Sequence, residues 1–244
     1  MLSGTLASLI SPTQPPAQRL PILVPGITMQ GLGWMVSFLM YAVYVHRLMQ
    51  FGLPAPNLRP GMFIAVGPPS FTGLALIGIS KNLPPDYGIF AARPLAIEIL
   101  QIVAIFTAIF LWTLSFWFFC ITVIGVLAGI RGMTFHLVWW AFVFPNVGFT
   151  IATIQIGNQL DSPGIKWVAS VMSCLLVAMW FFVLYSHARA FLTKEIVMPG
   201  KDEDKGMCTL SVGFRYWVVN VKAANDGADE YKEDDRKHDT AMPP

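Results

Sequence analysis

The chain has 244 residues, 55% of them hydrophobic and 12% charged, with a net charge of +2 and a mean hydropathy of +0.59. Soluble domains carry about a quarter charged residues, so water is not the main solvent here, and with no basic run or RNA-binding motif nothing addresses nucleic acid. Of the charged residues, 11 fall in 1–193 and 19 in the last 51, which divides the chain into an apolar transmembrane domain, 1–193, and a polar tail, 194–244, expected to be disordered.

Residues 1–10 read as the end of a helix, a partial span. No Lys or Arg precedes the apolar stretch and no clean cleavage site follows it, as a signal peptide would require. Five complete spans follow, at about 20–48, 61–80, 95–130, 135–160 and 164–192, each with an uncharged run near or above the roughly 20 helical residues that cross a hydrocarbon core of about 30 Å. Residues 99–130 alone hold 19 Leu, Ile, Val or Phe, too uniform for a buried soluble helix. The breaks between spans are short and rich in proline and glycine, which makes successive spans antiparallel neighbours. The fold class is therefore all-α and polytopic.

Trp34, Tyr41, Tyr44, Trp139, Trp140, Trp167 and Tyr185 lie toward span ends, as an aromatic belt would place them. Alternate loops collect Arg47, Arg59, Arg131, Arg189 and Lys194 on one side and Arg19, Lys81, Arg93 and Lys166 on the other. The positive-inside rule then puts the C-terminus in the cytoplasm.

Interior proline marks the second span, at Gly67-Pro68-Pro69, and the fourth, at Pro145, while the long spans after each carry none. Each proline removes a donor and displaces the carbonyl four residues earlier, here Ile64, Ala65 and Ala141, which must find another partner inside lipid. Broken helices at membrane depth commonly line a substrate path. An ordinary packed kink is the alternative for any one of them.

No cofactor or metal is expected. Cys120, Cys174 and Cys208 are too scattered for a zinc site, and His46, His136 and His187 lack His-x-x-His or His-x-x-x-His spacing. Glu98, at the edge of the third span, is a candidate for proton coupling because intramembrane acids are usually functional. Its position shortly after Arg93 also suits an interfacial pair. Ser70, Thr72, Thr150 and Thr153 offer hydroxyls to a passing carboxylate or, equally, to their own helix.

Four motifs in order, Gln30-Gly31-Leu32-Gly33, Arg59 through Phe71 with Gly67-Pro68-Pro69-Ser70-Phe71 at its end, Trp139-Trp140-Ala141-Phe142-Val143-Phe144-Pro145, and Met198-Pro199-Gly200-Lys201-Asp202-Glu203-Asp204, resemble the fungal C4-dicarboxylate (malic acid) transport proteins. These belong to the tellurite-resistance and dicarboxylate transporter family, with sulfite efflux pumps and slow anion channels. The resemblance implies ten helices in five hairpins around a central pore, odd-numbered helices inside, often as a plasma-membrane homotrimer, and transport rather than catalysis.

Aligned this way, 1–10 is the end of the fifth helix and the five spans are helices six to ten. Earlier helices have no counterpart, and a fragment or shortened gene product is the expectation. The proline-bearing spans become inner helices seven and nine. The resemblance assigns the pore-occluding phenylalanine to Phe144, with Phe71 a second candidate and Gly67, Pro68, Pro69 and Pro145 lining the path. Malate is the expected substrate class, sulfite or another small anion the alternative, and a truncated non-transporting membrane protein or interaction subunit the rival.

Overall fold

The computed structural model describes residues 2–93 and 95–193. Two compact units divide the chain, Met1–Ala188 and Arg189–Pro244. Of the second, only 189–193 are described, so the reading of 194–244 as a disordered tail, and the Met198–Asp204 motif, lie outside the described residues.

Among the described residues six α-helices occur in order: α1 (Ser3–Ile10), α2 (Pro16–Phe51), α3 (Gly67–Lys81), α4 (Leu95–Leu127), α5 (Phe144–Gln159) and α6 (Pro163–Leu192). Two 3-10 helices, Pro56–Val66 and Leu137–Phe142, lead directly into α3 and α5. Counting each lead-in with its helix, five segments among the described residues are long and apolar enough to cross a membrane. Their burial separates two classes. In the most apolar window of each, 72% of the residues are buried for Pro56–Lys81 and 44% for Leu137–Gln159, against 17%, 17% and 11% for α2, α4 and α6. The broken spans are thus inner helices and the unbroken ones outer, the alternation that the resemblance implies.

Small residues let α3 approach both α1 and α4. A Cβ added at Gly73 would lie 3.3 Å from the Ala108 Cα, so α3 and α4 meet backbone to backbone, as small residues permit inside membranes. Beside this contact, Ser70 Oγ and Ser115 Oγ share a hydrogen bond of 2.8 Å across the two helices. Gln30 of α2 is buried; its Nε2 donates to Thr72 Oγ1 at 3.0 Å, and its Oε1 accepts from the Gly4 amide at 3.3 Å. One side chain therefore ties α1 and α2 to the first turns of α3. Apolar packing centres on Phe63, Val66, Phe118 and Phe149, where the lead-in to α3 meets α4 and α5.

Three sequence expectations change. Proline also lies inside α2, at Pro21 and Pro25, yet α2 continues as one helix, so proline alone does not make a break. Tyr41 and Tyr44 turn toward a neighbouring helix. They pack on Phe118 of α4 with ring centroids 4.6 and 5.9 Å away, whereas Trp167 and Tyr185 are exposed near the ends of α6. Arg59, read as a loop cation, is a structural clasp: Nε donates to the Pro54 carbonyl at 3.0 Å and Nη1 to the Gly125 carbonyl at 2.9 Å, one of the last carbonyls of α4. A cation is favoured at a helix C-terminus. Arg59→Met removes both charge-assisted bonds and is expected to lower stability by about 1–3 kcal/mol, read as an earlier thermal unfolding midpoint in nanodiscs.

At the turn between α5 and α6, Asp161 adopts a left-handed φ of 45°, which Asp tolerates better than most residues. Lys166 Nζ donates to its carboxylate at 2.6 Å and holds that carboxyl below the usual range, by hydrogen bond first and charge second. Because the folded value is lowered, the pair stabilises near neutral pH and the contribution fades as pH falls through that value.

Candidate functional site

The two breaks are solved the same way. In an α-helix the Ile64 carbonyl would pair with residue 68 and the Ala65 carbonyl with residue 69, both prolines without a donor. The tighter 3-10 winding moves the donor for each carbonyl one residue back along the chain. Ile64 then accepts from the Gly67 amide, which is observed. Ala65 gains nothing, because its 3-10 partner is Pro68. Tandem prolines leave that carbonyl without a local donor in either winding, and the Tyr41 hydroxyl of α2 supplies one at 2.9 Å.

At the second break, Leu137–Phe142 is wound the same way before Pro145, and Val143 N–H donates to Trp140 O at 3.1 Å. The Phe142 carbonyl, whose 3-10 partner would be Pro145, accepts from Asn146 Nδ2 at 2.9 Å. Pro68 and Pro69 open α3 and Pro145 opens α5, so they sit in first turns rather than kinking continuous helices. Tyr41→Phe strips the Ala65 carbonyl of its donor and is expected to cost about 1–3 kcal/mol. Its unfolding midpoint in nanodiscs, compared with that of a Tyr185→Phe control on exposed α6 surface, measures this.

The first turns of α3 and α5 bring the two candidate phenylalanines together. Phe71 and Phe144 have ring centroids 5.5 Å apart at an interplanar angle of 31°. They differ in setting: Phe71 is 6% exposed and Phe144 57%. Phe71 lies on Gly148, one turn beyond Phe144, where an added Cβ would fall 2.7 Å from two ring carbons. Its carbonyl accepts from Thr5 Oγ1 of α1 at 3.4 Å. Phe144 and Pro145 border a groove of about 320 Å³ between the two lead-ins, walled by Ile64, Val138, Trp140 and Ala141 among others. Pro69 and Gly67 are buried behind Phe71, and Pro68 is half-buried. All walls of the groove are apolar, the chemistry of a constriction that excludes hydrated ions by dewetting.

The hydroxyls are committed elsewhere. Ser70 Oγ donates to Val66 O at 2.7 Å, Thr72 Oγ1 to Pro68 O at 2.7 Å, and Thr153 Oγ1 to Phe149 O at 2.8 Å while accepting from Trp112 Nε1 at 2.8 Å. Thr150 is buried and borders a larger apolar cavity of about 470 Å³ between α4, α5 and α6, away from the phenylalanine pair. Trp139 Nε1 and Asn146 Oδ1, also of residues bordering that cavity, find no partner among the described residues.

Glu98 is exposed in the first turn of α4, a favourable place for an acid beside a helix N-terminus. His187 Nδ1 accepts from Trp140 Nε1 at 3.0 Å, His136 contacts Thr134 at 3.2 Å, and His46 is exposed. No cluster of three metal-ligating side chains occurs among the described residues. Sequence reasoning missed Tyr41 as the donor at the first break and Gly148 as the seat of Phe71.

Residues 1–188 match the family described as voltage-dependent anion channel. The chain is 39% identical over 207 residues to the malic acid transport protein of Schizosaccharomyces pombe, covering 84% of this chain and 47% of that protein. A putative malic acid transport protein of the same yeast is 35% identical over 213 residues, covering 84% and 48%. The sulfite efflux pump SSU1 of Trichophyton rubrum is 26% identical over 175 residues, covering 69% and 44%. The chain therefore spans about half the length of these curated relatives. No solved structure matches it. A family match covering most of the chain, over five apolar spans whose proline-opened members lie inside, means that this integral membrane protein belongs to the voltage-dependent anion channel family.

Proposed function

We propose that the chain supplies part of a membrane pathway for small organic anions, with malate or another C4-dicarboxylate as substrate and Phe144 as the gate. The observation that carries this reading is the exposed Phe144 ring, set by Pro145 beside an apolar groove and backed by buried Phe71. Relatives named malic acid transport proteins support the substrate class. Gly67, Pro68, Pro69 and Pro145 place the two rings, and the transmembrane domain is 1–193. A plasma-membrane location, a cytoplasmic C-terminus and a homotrimer in lipid complete the proposal.

Reconstitution of the full chain into liposomes, followed by malate uptake under an imposed gradient, tests it. Saturable malate uptake is the expected result. Sulfite uptake without malate uptake moves the substrate to an inorganic anion, the direction in which the sulfite efflux relatives point. Absence of any anion flux overturns the transport reading of this chain and favours an interaction subunit. Uptake that requires a proton gradient, and loses that requirement in Glu98→Gln, gives Glu98 the coupling role; dependence that survives the substitution removes it.

A further inference from the structure

Beyond the gate, the same face of α5 leads to a cation. Gln155 follows Phe144 by eleven residues. At 100° and 1.5 Å per residue it lies about 20° around the helix from Phe144 and roughly 16 Å further along it. Ile151, on the same stripe, is exposed, as is Asn158 one turn beyond. The stripe thus begins with an aromatic ring and ends in amides. There Lys81, the last residue of α3 and exposed, donates from Nζ to Gln155 Oε1 at 3.2 Å. A lysine on one inner helix is held by the other, on the face that carries the candidate gate.

The position has an electrostatic reason. Both α3 and α5 run away from their breaks, so their carbonyl ends, carrying partial negative charge, gather at this mouth. Exposed Glu98 belongs to the same end, because Gln101 of α4 donates to Ser80 O at 3.5 Å. Asp161 is occupied by Lys166. An anion entering here meets carbonyl ends and a carboxylate, and an ammonium on the stripe offsets them.

We propose that Lys81, oriented by Gln155, is the anion-capturing residue at this mouth of the path, selecting small carboxylates by charge before they reach Phe144. The proposal rests on the transport reading of the same face. Gln155 is a positioning residue: its carbonyl oxygen holds the ammonium over the stripe and leaves two of its protons for a carboxylate.

The test uses the full chain in liposomes with Lys81→Gln and Lys81→Arg. Loss of one unit charge about 7 Å from the passing ion in water lowers capture about threefold for a monoanion and about sevenfold for a dianion. At 10 mM ionic strength malate uptake should therefore fall about sevenfold and lactate uptake about threefold in Lys81→Gln. Lys81→Arg should restore both, and the deficit should vanish near 1 M salt, where screening acts within about 3 Å. Equal losses for the two valences, or losses that persist at high salt, overturn the charge role.

A second arm reads the site without transport. Acylation of Lys81 by an amine-reactive ester, followed by peptide mass spectrometry, should be slowed by succinate and not by neutral succinamide. Protection without flux sinks the transport reading and keeps the anion site. Flux without protection, unchanged in Lys81→Gln, overturns the site and keeps transport. Neither flux nor protection overturns both.

Discussion

Phe144→Ala is expected to raise malate flux by the full chain on the order of tenfold or more, since each ~1.4 kcal/mol removed from a barrier is a factor of ten. The ring is the exposed aromatic side chain contributed by α5 to a groove whose other walls are apolar, and shortening it replaces an aromatic blade with a methyl. An ion that must shed water to pass an apolar constriction gains most when the constriction widens. The substitution should not unfold the protein. A buried Phe→Ala change costs about 3–5 kcal/mol, but Phe144 is 57% exposed and gives up chiefly its contact with Phe71. Phe144→Trp, which keeps a flat ring there, should leave flux at or below the wild-type rate. If the wild-type chain conducts and Phe144→Ala conducts equally, the ring is not in the path.

What could be read in advance, and what could not, follows from the range of the interactions involved. Spans come from runs of one solvent preference, so the apolar stretches that become α2, α4 and α6 are legible in the sequence, although α2 begins ahead of its uncharged run, at Pro16. The breaks at Pro68-Pro69 and Pro145 were legible because proline's missing donor is a local fact. Their form was not. That the chain approaches each break as a 3-10 helix depends on handing the Ile64 carbonyl to the Gly67 amide, and on Tyr41, 24 residues away, for Ala65. Nothing local in the sequence couples Tyr41 to Ala65, and its place toward the end of an apolar span suggested an interface instead.

The hydroxyls illustrate the same limit. Ser70, Thr72 and Thr153 had two readings, toward a substrate or toward their own helix, and periodicity cannot choose between them. Packing chose: each bonds a carbonyl four residues back and a side chain on a neighbouring helix. With those donors committed, the neighbourhood of Phe144 is left apolar. The polar atoms on its helix face then appear at the far end, at Gln155 and Asn158. In the proposed pathway an apolar constriction joined to a charged mouth would divide the work, with selection by charge at one end and restriction of flow at the other.

Gly148→Ala is expected to act through Phe71, and the double substitution with Phe71→Ala shows whether it does. The added methyl would sit 2.7 Å from Phe71 Cε2 and Cζ and 2.9 Å from Cδ2, far inside the roughly 3.5–4.0 Å at which carbons pack. The clash must move the ring. Phe71 is 6% exposed and its backbone is held through Thr5, so the ring's open direction is toward the exposed ring of Phe144. Overpacking of this kind costs about 1–3 kcal/mol, and a ring pair pushed into the groove should lower malate flux below wild type. In a Phe71→Ala background the ring is gone and the methyl enters a cavity, so Gly148→Ala should there be neutral or stabilising. A double-mutant cycle of unfolding free energies in nanodiscs should therefore show coupling of about 1–3 kcal/mol between the two positions. Additive effects would mean that Gly148 does not seat Phe71, and that the contact backing Phe144 is set from α3 alone.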